Sequence, residues 1–274
     1  MSTTRKVSPR AHMLHEYKRR QMEFEDREFC RYNLSPVKMS APYKYYFDRQ
    51  CGVGLATLIK ADLSQPDGTL ICGVGGGADL QFWIEHLPLD RCLALDFSIE
   101  AIRATQRRLR NHSISKLVEY LKADIECIPL KDNSLDLVIA SQVLHHTLDP
   151  AKACKEMFRV ARRGVLLLEP ANTMMVSMLK RIGLARATED AGNVVLRFRR
   201  SDFESYLYGC DCSVRYRTYL FYDHPILERN LGRYFNFAGG IPVLKTLYSL
   251  TDHLMFPLRS KCAVLLTKRH KAGP

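Results

Sequence analysis

The stretch GTLICGVGGGADLQFW, residues 68–83, places four glycines within five positions, directly after a short apolar run. Glycine is conformationally costly in regular structure, so this cluster indicates backbone at positive φ or a very close approach to another group. A strand, a glycine-rich turn and a helix in this order predict that amides at the helix N-terminus meet an anionic or polar ligand. The spacing Gly73-x-Gly75-x-x-Ala78 fits a dinucleotide fingerprint, and Gly73-x-Gly75-x-Gly77 fits a different nucleotide-like ligand equally well.

Outward from this turn, residues 69–172 alternate between short apolar runs and amphipathic segments. The runs TLICGV, RCLALDF, LDLVIASQ and GVLLLEP are continuously apolar, which is typical of strands buried on both faces of a parallel sheet. VEYLKAD predicts one more strand in this region, and SVRYRTYLF (213–221) and KCAVLLTKR (261–269) predict two near the end. The sequence therefore predicts an α/β protein with a mostly parallel sheet.

Breaker residues suggest how the chain is divided. The segment 33–42 contains Asn-Leu-Ser-Pro and Ala-Pro, which favour a joint between two helical stretches. We predict an N-terminal helical lid over residues 1–50 and a main domain over 51–274. Within that domain, the aromatic and leucine-rich residues 222–259 predict a helical insert between the last two strands.

Composition limits the class of protein. The chain has 274 residues and a net charge of +12, but residues 51–150 hold only 9 Lys and Arg against 13 Asp and Glu, so the flanks carry the basic excess. Basic flanks favour an anionic partner or a solvated surface. The nine cysteines are scattered and only Cys210 and Cys212 are close, which indicates reduced thiols, no metal site and a cytoplasmic protein. No apolar run is long enough for a signal peptide or a transmembrane segment.

Polar residues follow three of the predicted strands. Asp96 closes the second strand, 23 residues after Gly73, where an acid can accept from both hydroxyls of a ribose. Asp124 follows the third strand, where a carboxylate can accept from the exocyclic amine of a purine. His145 and His146 lie just past the fourth strand, at the carboxyl edge where open parallel sheets bind their ligands.

Together these segments resemble the core of class I S-adenosylmethionine-dependent methyltransferases, in particular the ubiquinone/menaquinone-biosynthesis type and many natural-product enzymes. The motifs that carry the resemblance are, in order, LICGVGGGADL, LALDFS, KADIECIPLKDNSLDLV, ASQVLHHTLDPAKACKEMFRV and GVLLLEPAN. Each motif is common, but five in this order within residues 69–172 are specific. The resemblance implies a Rossmann-like, doubly wound, mostly parallel seven-stranded sheet and S-adenosyl-L-methionine as the cofactor.

The resemblance also implies roles for residues that bind the cofactor. The glycine loop approaches the methionine moiety and the ribose, the acid after the second strand binds the ribose hydroxyls, and the aromatic residue after it lies against the adenine. The acid after the third strand and its neighbour contact the base, and the end of the fourth strand lines the methionine end. The cofactor-binding residues are thus Gly73, Gly75, Gly77, Asp96, Phe97, Asp124, Ile125, Ser141 and Gln142.

One position departs from the family pattern. Family members usually carry an acid two residues before the first glycine of the loop, and Ile71 stands there in this chain. The missing carboxylate normally helps to hold the loop and the methionine end. Asp79, just inside the following helix, is a candidate for part of that role, although a first-turn acid commonly stabilises the helix dipole.

Three kinds of side chain are candidates for substrate binding and for the chemistry of methyl transfer. A general base assists when the acceptor is a hydroxyl or a carbon acid, and His145 and His146 lie where such a base is needed. Adjacent residues point in different directions, so only one is expected to face the substrate. Glu169, at the end of the fifth strand, is another catalytic candidate or a ligand for a substrate amine or hydroxyl. Tyr45 and Tyr46 precede the core where the family often folds a lid, so they are candidate substrate-binding residues.

The substrate is constrained less well. Enzymes that methylate base nitrogens usually carry Asn/Asp-Pro-Pro-aromatic after the fourth strand, whereas residues 141–144 read Ser-Gln-Val-Leu here. A small-molecule acceptor is therefore favoured over nucleic acid. The segment 222–259 suits an apolar or prenylated acceptor, and the arginines of 197–200 and 215–217 suit a phosphate or carboxylate, which together describe an anionic or amphiphilic substrate. Peripheral membrane contact and a homodimer stay open.

Three alternative functions remain open on the sequence. An RNA-modifying methyltransferase that acts on ribose or a tRNA tail is not excluded. An NAD(P)-dependent reductase fits the glycine spacing and Asp96, but gives Asp124 and the two histidines no role, and no Tyr-x-x-x-Lys pair accompanies residues 43–46. A non-catalytic S-adenosylmethionine-binding protein is suggested only by Ile71.

Overall fold

The helices and strands of the computed structural model are described for residues 9–34, 41–181, 196–219, 237, 239–254 and 259–269. The helices are α1 (Pro9–Leu34), α2 (Ala41–Ile59), α3 (Ala78–His86), α4 (Ile99–Leu109), α5 (Pro150–Val160), α6 (Met174–Arg181), α7 (Arg200–Tyr206) and α8 (Gly240–Leu254). The strands are β1 (Gly68–Cys72), β2 (Arg91–Asp96), β3 (Val118–Lys122), β4 (Leu135–Ser141), β5 (Ala161–Pro170), β6 (Cys212–Tyr219) and β7 (Lys261–Lys268). Short 3-10 turns cover Ser113–Leu117 and Leu144–His146.

The strands form one seven-stranded sheet in the order β3-β2-β1-β4-β5-β7-β6. The first five strands of the chain pair in parallel, and β7 runs antiparallel to both β5 and β6. The chain winds outward from β1 to β3 and then returns to the other side of β1 with β4. Ligands bind at such a reversal, outside the carboxyl ends of the strands. The predicted fold class, a Rossmann-like and mostly parallel seven-stranded sheet, is confirmed.

The central strands of the sheet are buried on both faces, as their continuous apolar runs predict. On one face, Ile71 and Ile139 pack with residues of α2 and α3, among which Trp83 is fully buried. On the other face, Leu70 and Val138 pack with residues of α5 and α7. Because side chains alternate along each strand, the apolar residues of β1 and β4 divide between the two cores.

Two helix starts follow from their capping residues. Ser98 accepts a hydrogen bond from the Ala101 amide at 3.1 Å and caps α4, as its position in the sequence predicts. Asp149 accepts from the Lys152 amide at 2.9 Å, and Pro150 occupies the first turn of α5. These caps fix where the chain leaves the carboxyl edge of the sheet.

The flanking segments differ in extent from the sequence-based expectation. Helix α1 runs over Pro9–Leu34, within the predicted helical lid over residues 1–50. The boundary predicted between residues 50 and 51 falls inside α2, which packs on α3 and β5, so the lid division would cut a continuous helix. Of the predicted insert 222–259, the described residues show α8, and the remainder lies outside the part of the chain that the structure describes.

Candidate functional site

A cavity of about 420 Å³ opens at the carboxyl edge of the sheet. Its walls come from the loop after β1, the ends of β2 and β3, the turn after β4 and helix α1. Six of the residues predicted from the sequence line it, namely Gly73, Asp96, Phe97, Asp124, Ile125 and His146. The structure therefore brings together, in one place, residues spread over more than seventy positions of the chain.

The protein's own packing requires glycine at the first position of the loop. Gly73 has φ of +68°, and a Cβ built on it would lie 2.2 Å from a methyl group of Val143. The Gly73 amide donates to the Leu95 carbonyl at 2.7 Å, which ties the loop to the end of β2. A side chain at this position would therefore force apart β1 and the turn after β4.

Asp96 connects this loop to the start of α4. Its Oδ2 accepts from the Gly75 amide at 3.0 Å, and its Oδ1 accepts from the Ser98 amide at 2.9 Å. Burial raises the pKa of the Asp96 carboxyl, and these backbone hydrogen bonds oppose the rise. A carboxylate has about four acceptor positions. The group is therefore held rigidly and retains acceptor capacity for hydroxyl donors.

Helix α4 supports the loop from behind, and the sequence analysis did not anticipate this. The Thr105 hydroxyl donates to the Gly75 carbonyl at 2.9 Å, and Arg108 Nε donates to the Gly76 carbonyl at 2.6 Å. Both residues lie on the helix that Ser98 caps. The sequence shows only which side of α4 Thr105 and Arg108 occupy, and this does not tell whether that side contacts the loop or faces solvent.

Helix α1 forms one wall of the cavity and contacts the segments that follow β2 and β3. Lys18 Nζ lies 2.5 Å from Asp124 Oδ2 and 2.8 Å from Glu126 Oε2. Further along α1, Asp26 accepts from the Ser98 hydroxyl. Lys18 was not predicted as a site residue, because a sequence shows a basic helix but not which acid it faces.

A comparison with protein families matches the segment that forms the cavity together with helix α1. Residues 70–168 match a family model described as a methyltransferase domain. This segment is a methyltransferase domain. It begins in β1 and ends in β5, so it contains the glycine loop, Asp96 and Asp124, and the histidine pair.

Curated relatives support the same assignment over part of the chain. A malonyl-[acyl-carrier protein] O-methyltransferase of Marinomonas sp. is 33% identical over 128 residues, which are 46% of each chain. A ubiquinone/menaquinone biosynthesis C-methyltransferase of Pasteurella multocida is 33% identical over 96 residues, covering 34% of this chain and 36% of the relative. The matches thus span less than half of the length of either relative. The resemblance drawn from the sequence is confirmed for the methyltransferase domain.

A solved structure extends the likeness in fold beyond that domain. Magnesium protoporphyrin IX methyltransferase of Synechocystis, solved with bound S-adenosylhomocysteine, superposes with a TM-score of 0.58 at 12% identity. The superposition covers 88% of this chain and 94% of that one. At this identity the likeness concerns the fold alone, and it covers more of the chain than residues 70–168.

The methionine end predicted at the end of β4 lies beside the cavity rather than in its lining. Ser141 is buried, and Gln142 adopts a left-handed φ of +58°. The Gln142 amide group donates to the Leu168 carbonyl at 2.8 Å and accepts from Lys261 Nζ. Ile71 is buried in the apolar core, so β1 itself supplies no carboxylate to this end of the methyltransferase domain.

Asp79 lies beside Ser141 at this end of β4, and its environment is costly for a charge. Burial raises its pKa from 3.8 to about 6, with the neighbouring Ser141 hydroxyl and Cys51 thiol opposing the rise. Neither Oδ1 of Asp79 nor Oγ of Ser141 has a hydrogen-bond partner among the described residues, so this opposition is weak. With a pKa of about 6 the Asp79 carboxyl is still mostly ionised at pH 7, so the fold holds this charge in a buried site at a cost in free energy.

This shift predicts a pH-dependent stability. Because the folded state holds the Asp79 proton more tightly than the unfolded state, its contribution is full below about pH 4 and is lost as pH rises through about 6. Relative to an Asp79→Asn variant, the wild type should lose about 1–3 kcal/mol of unfolding free energy between about pH 4 and pH 7. Urea unfolding of both proteins at several pH values measures the difference, and equal pH profiles would contradict the assignment.

The histidine pair and Glu169 divide into two positions. His145 Nδ1 lies 2.7 Å from Glu169 Oε2, and both side chains are buried away from the cavity. Glu169 Oε1 accepts from the amides of Val143 at 2.9 Å and Leu144 at 2.8 Å. His146 stacks on His145 with ring centroids 4.0 Å apart and lines the cavity. Glu169 and His145 therefore position the turn that presents His146.

The structure does not bring Tyr45 to this cavity. Tyr45 lies on α2, packs against the core, and has Lys245 Nζ of α8 at 5.8 Å from its ring centroid. Tyr46 lies in the same helix, and its side chain is outside what the structure describes.

Among the described residues, no cluster of three or more His, Cys, Asp or Glu side chains is placed to hold a metal ion.

Proposed function

We propose that this chain transfers the methyl group of S-adenosylmethionine to an oxygen or carbon atom of a small molecule. The observation that carries the proposal is the placement of Asp96 and Asp124 on one cavity with the Gly73–Gly77 loop. We assign Asp96 to the ribose hydroxyls and Asp124 to the amine of the base. The methyltransferase relatives and the family match support the same cofactor.

The residues of the cavity fit this cofactor. Gly73 allows the loop to pass next to Val143, and Asp96 is fixed by two amides. Beside the cavity, Asp79 and Ser141 each have a buried oxygen atom without a hydrogen-bond partner among the described residues. When bound, S-adenosylmethionine supplies a methyl group already activated as a sulfonium. The protein then has mainly to align the acceptor and exclude water.

Two residues are proposed to complete the base-binding part of the cavity. Phe97 and Ile125 line it next to Asp96 and Asp124, as apolar surfaces against which a purine ring can lie. Lys18 pairs with Asp124, so a bound adenine amine would share or replace that contact.

An amphiphilic acceptor is favoured by exposed apolar side chains near the same edge. Met174 and Met178 lie one turn apart on α6, directly after β5, and are 84% and 56% exposed. Val243 and Leu250 of α8 are 51% and 56% exposed. The described part of the chain contains no helix able to cross a membrane. Contact with a membrane surface, a homodimer and a cytoplasmic location stay predictions.

The anionic character of the acceptor is less directly supported. Arg215 and Arg217 are exposed on the edge strand β6, and Arg200 pairs with Glu204 at 2.7 Å, so none of them faces the described cavity. Lys261 lies closer, because it contacts Gln142 at the end of β4. We therefore assign the cation that would meet an anionic acceptor to Lys261 rather than to the arginines.

The acceptor class is tested by labelling. The protein is incubated with S-adenosylmethionine that carries a labelled methyl group and a cell extract, which is then separated into small-molecule, RNA and protein fractions. Label in the small-molecule fraction alone is the expected result. Label confined to RNA would establish the RNA-modifying alternative, and no label above background would leave only a binding protein.

His146 is the proposed general base, because it is the member of the pair that lines the cavity. His146→Ala should lower turnover about 10²–10⁴-fold for a hydroxyl or carbon-acid acceptor. Stability should change by less than about 1 kcal/mol, since the imidazole is not part of the sheet core. The matched control is His86→Ala, on the far end of α3, which should leave turnover unchanged. Wild-type turnover by the His146 variant would remove this residue from the mechanism.

A further inference from the structure

The starting observation is the unbalanced charge at Asp79. Its side chain lies in the first turn of α3, where its Oδ1 is buried without a hydrogen-bond partner. Among the described residues no ion pair involves this carboxylate. An isolated buried carboxylate is costly, and the dipole of a nine-residue helix offsets only part of that cost. A cation is therefore the missing partner.

The geometry of the sheet shows where that cation would sit. Ile71 of β1 pairs in register with Ile139 of β4, and both side chains pack in the same core cluster. Ser141 follows Ile139 by two residues, so it lies on the same face of the sheet at its carboxyl edge. A carboxylate in place of Ile71 would project from this face, toward the position that Asp79 reaches from α3.

The neighbours of Asp79 complete a small polar site. Its carboxylate lies beside the Ser141 hydroxyl of β4 and the Cys51 thiol of α2. The Ser141 hydroxyl can also accept a hydrogen bond, and it has no partner among the residues that the structure describes. An ammonium group carries three donors and no acceptor, so it matches a site made of one carboxylate and one hydroxyl.

We propose that Asp79 binds the α-ammonium group of the methionine end of S-adenosylmethionine, as the replacement for the acid absent at Ile71. This assignment rests on the proposed function. The site is next to the glycine loop. Phe29 of α1 lies against this loop, since a Cβ built on Gly75 would be 3.3 Å from its ring. Because the described cavity does not reach Asp79, we expect this end of α1 to shift when the amino-acid end of the ligand binds.

The test compares two ligands that differ only in the ammonium group. S-adenosylhomocysteine and its deamino analogue, which keeps the carboxylate, are titrated calorimetrically into the wild type and into Asp79→Asn. The wild type should bind S-adenosylhomocysteine about 10–100-fold more tightly than the deamino analogue, as expected for hydrogen bonds to charged groups. Asp79→Asn should abolish most of this preference and leave the affinity for the deamino analogue within about threefold.

Controls separate the ways in which the proposal can fail. Asp90→Asn, at an exposed position after α3, should keep the wild-type preference. A wild type that does not distinguish the two ligands would overturn the assignment even if the Asp79 variant failed to fold. Equal weakening of both ligands by Asp79→Asn would show that Asp79 only supports the loop. If the wild type bound neither ligand, the proposed cofactor itself would be wrong.

Discussion

Replacing Gly73 by alanine is expected to destabilise the protein by about 2–5 kcal/mol and to weaken S-adenosylhomocysteine binding more than tenfold. Two effects add at this position. The φ of +68° is unfavourable for a residue with a Cβ, and that Cβ would lie 2.2 Å from Val143. Relief of the contact would move the turn after β4, which carries His146, or the loop that Asp96 holds.

The matched control for this substitution is Gly52→Ala. Gly52 lies inside α2, and a Cβ built on it meets no atom within 4 Å. Alanine is the better helix former, so this variant should be as stable as the wild type or more stable by about 0.5–1 kcal/mol. Urea unfolding and calorimetry measure both properties. Wild-type stability and affinity in the Gly73 variant would mean that the loop is not held as the structure shows.

Replacing Glu169 is expected to have the second large effect. Glu169→Ala removes the acceptor for the amides of Val143 and Leu144 and for His145, all within a buried site. Unpaired buried donors and the resulting void should lower the unfolding free energy by about 3–5 kcal/mol. Glu169→Gln keeps the shape but presents an NH₂ group to one of these donors, so about 1–3 kcal/mol is expected.

A surface glutamate provides the comparison. Glu119 on β3 pairs with Arg91 and its side chain is 64% exposed, so Glu119→Gln should change stability by less than about 1 kcal/mol. If Glu169→Gln were equally mild, the buried carboxylate would not be what holds the turn between β4 and α5. Loss of turnover without loss of stability would instead return Glu169 to direct catalysis.

The sheet and its ligand edge were predictable because their signals are local. Continuous apolar runs fix buried strands, and the caps Ser98 and Asp149 fix where helices begin. The acids Asp96 and Asp124 were predictable for the same reason, since a polar residue directly after a buried strand must lie at the sheet's edge. The order of these features in the chain then selects the family.

The other features of the site depend on contacts between segments that are distant in the sequence. Lys18 meets Asp124 across 106 positions, and Glu169 meets His145 across 24, and neither spacing leaves a pattern in the sequence. A histidine pair after a strand shows that one ring is a candidate base, but only the hydrogen bond to Glu169 shows which ring is turned away. The lid over residues 1–50 stays a prediction, and its boundary at residue 50 lies inside α2.

The central claim is that this cavity binds S-adenosylmethionine rather than a dinucleotide. Calorimetric titration of the wild type with S-adenosylhomocysteine and, separately, with NADH tests it most directly. We predict micromolar binding of S-adenosylhomocysteine, lost in the Gly73 variant and kept in the Gly52 variant, and no binding of NADH. Micromolar binding of NADH with none of S-adenosylhomocysteine would contradict the proposed function.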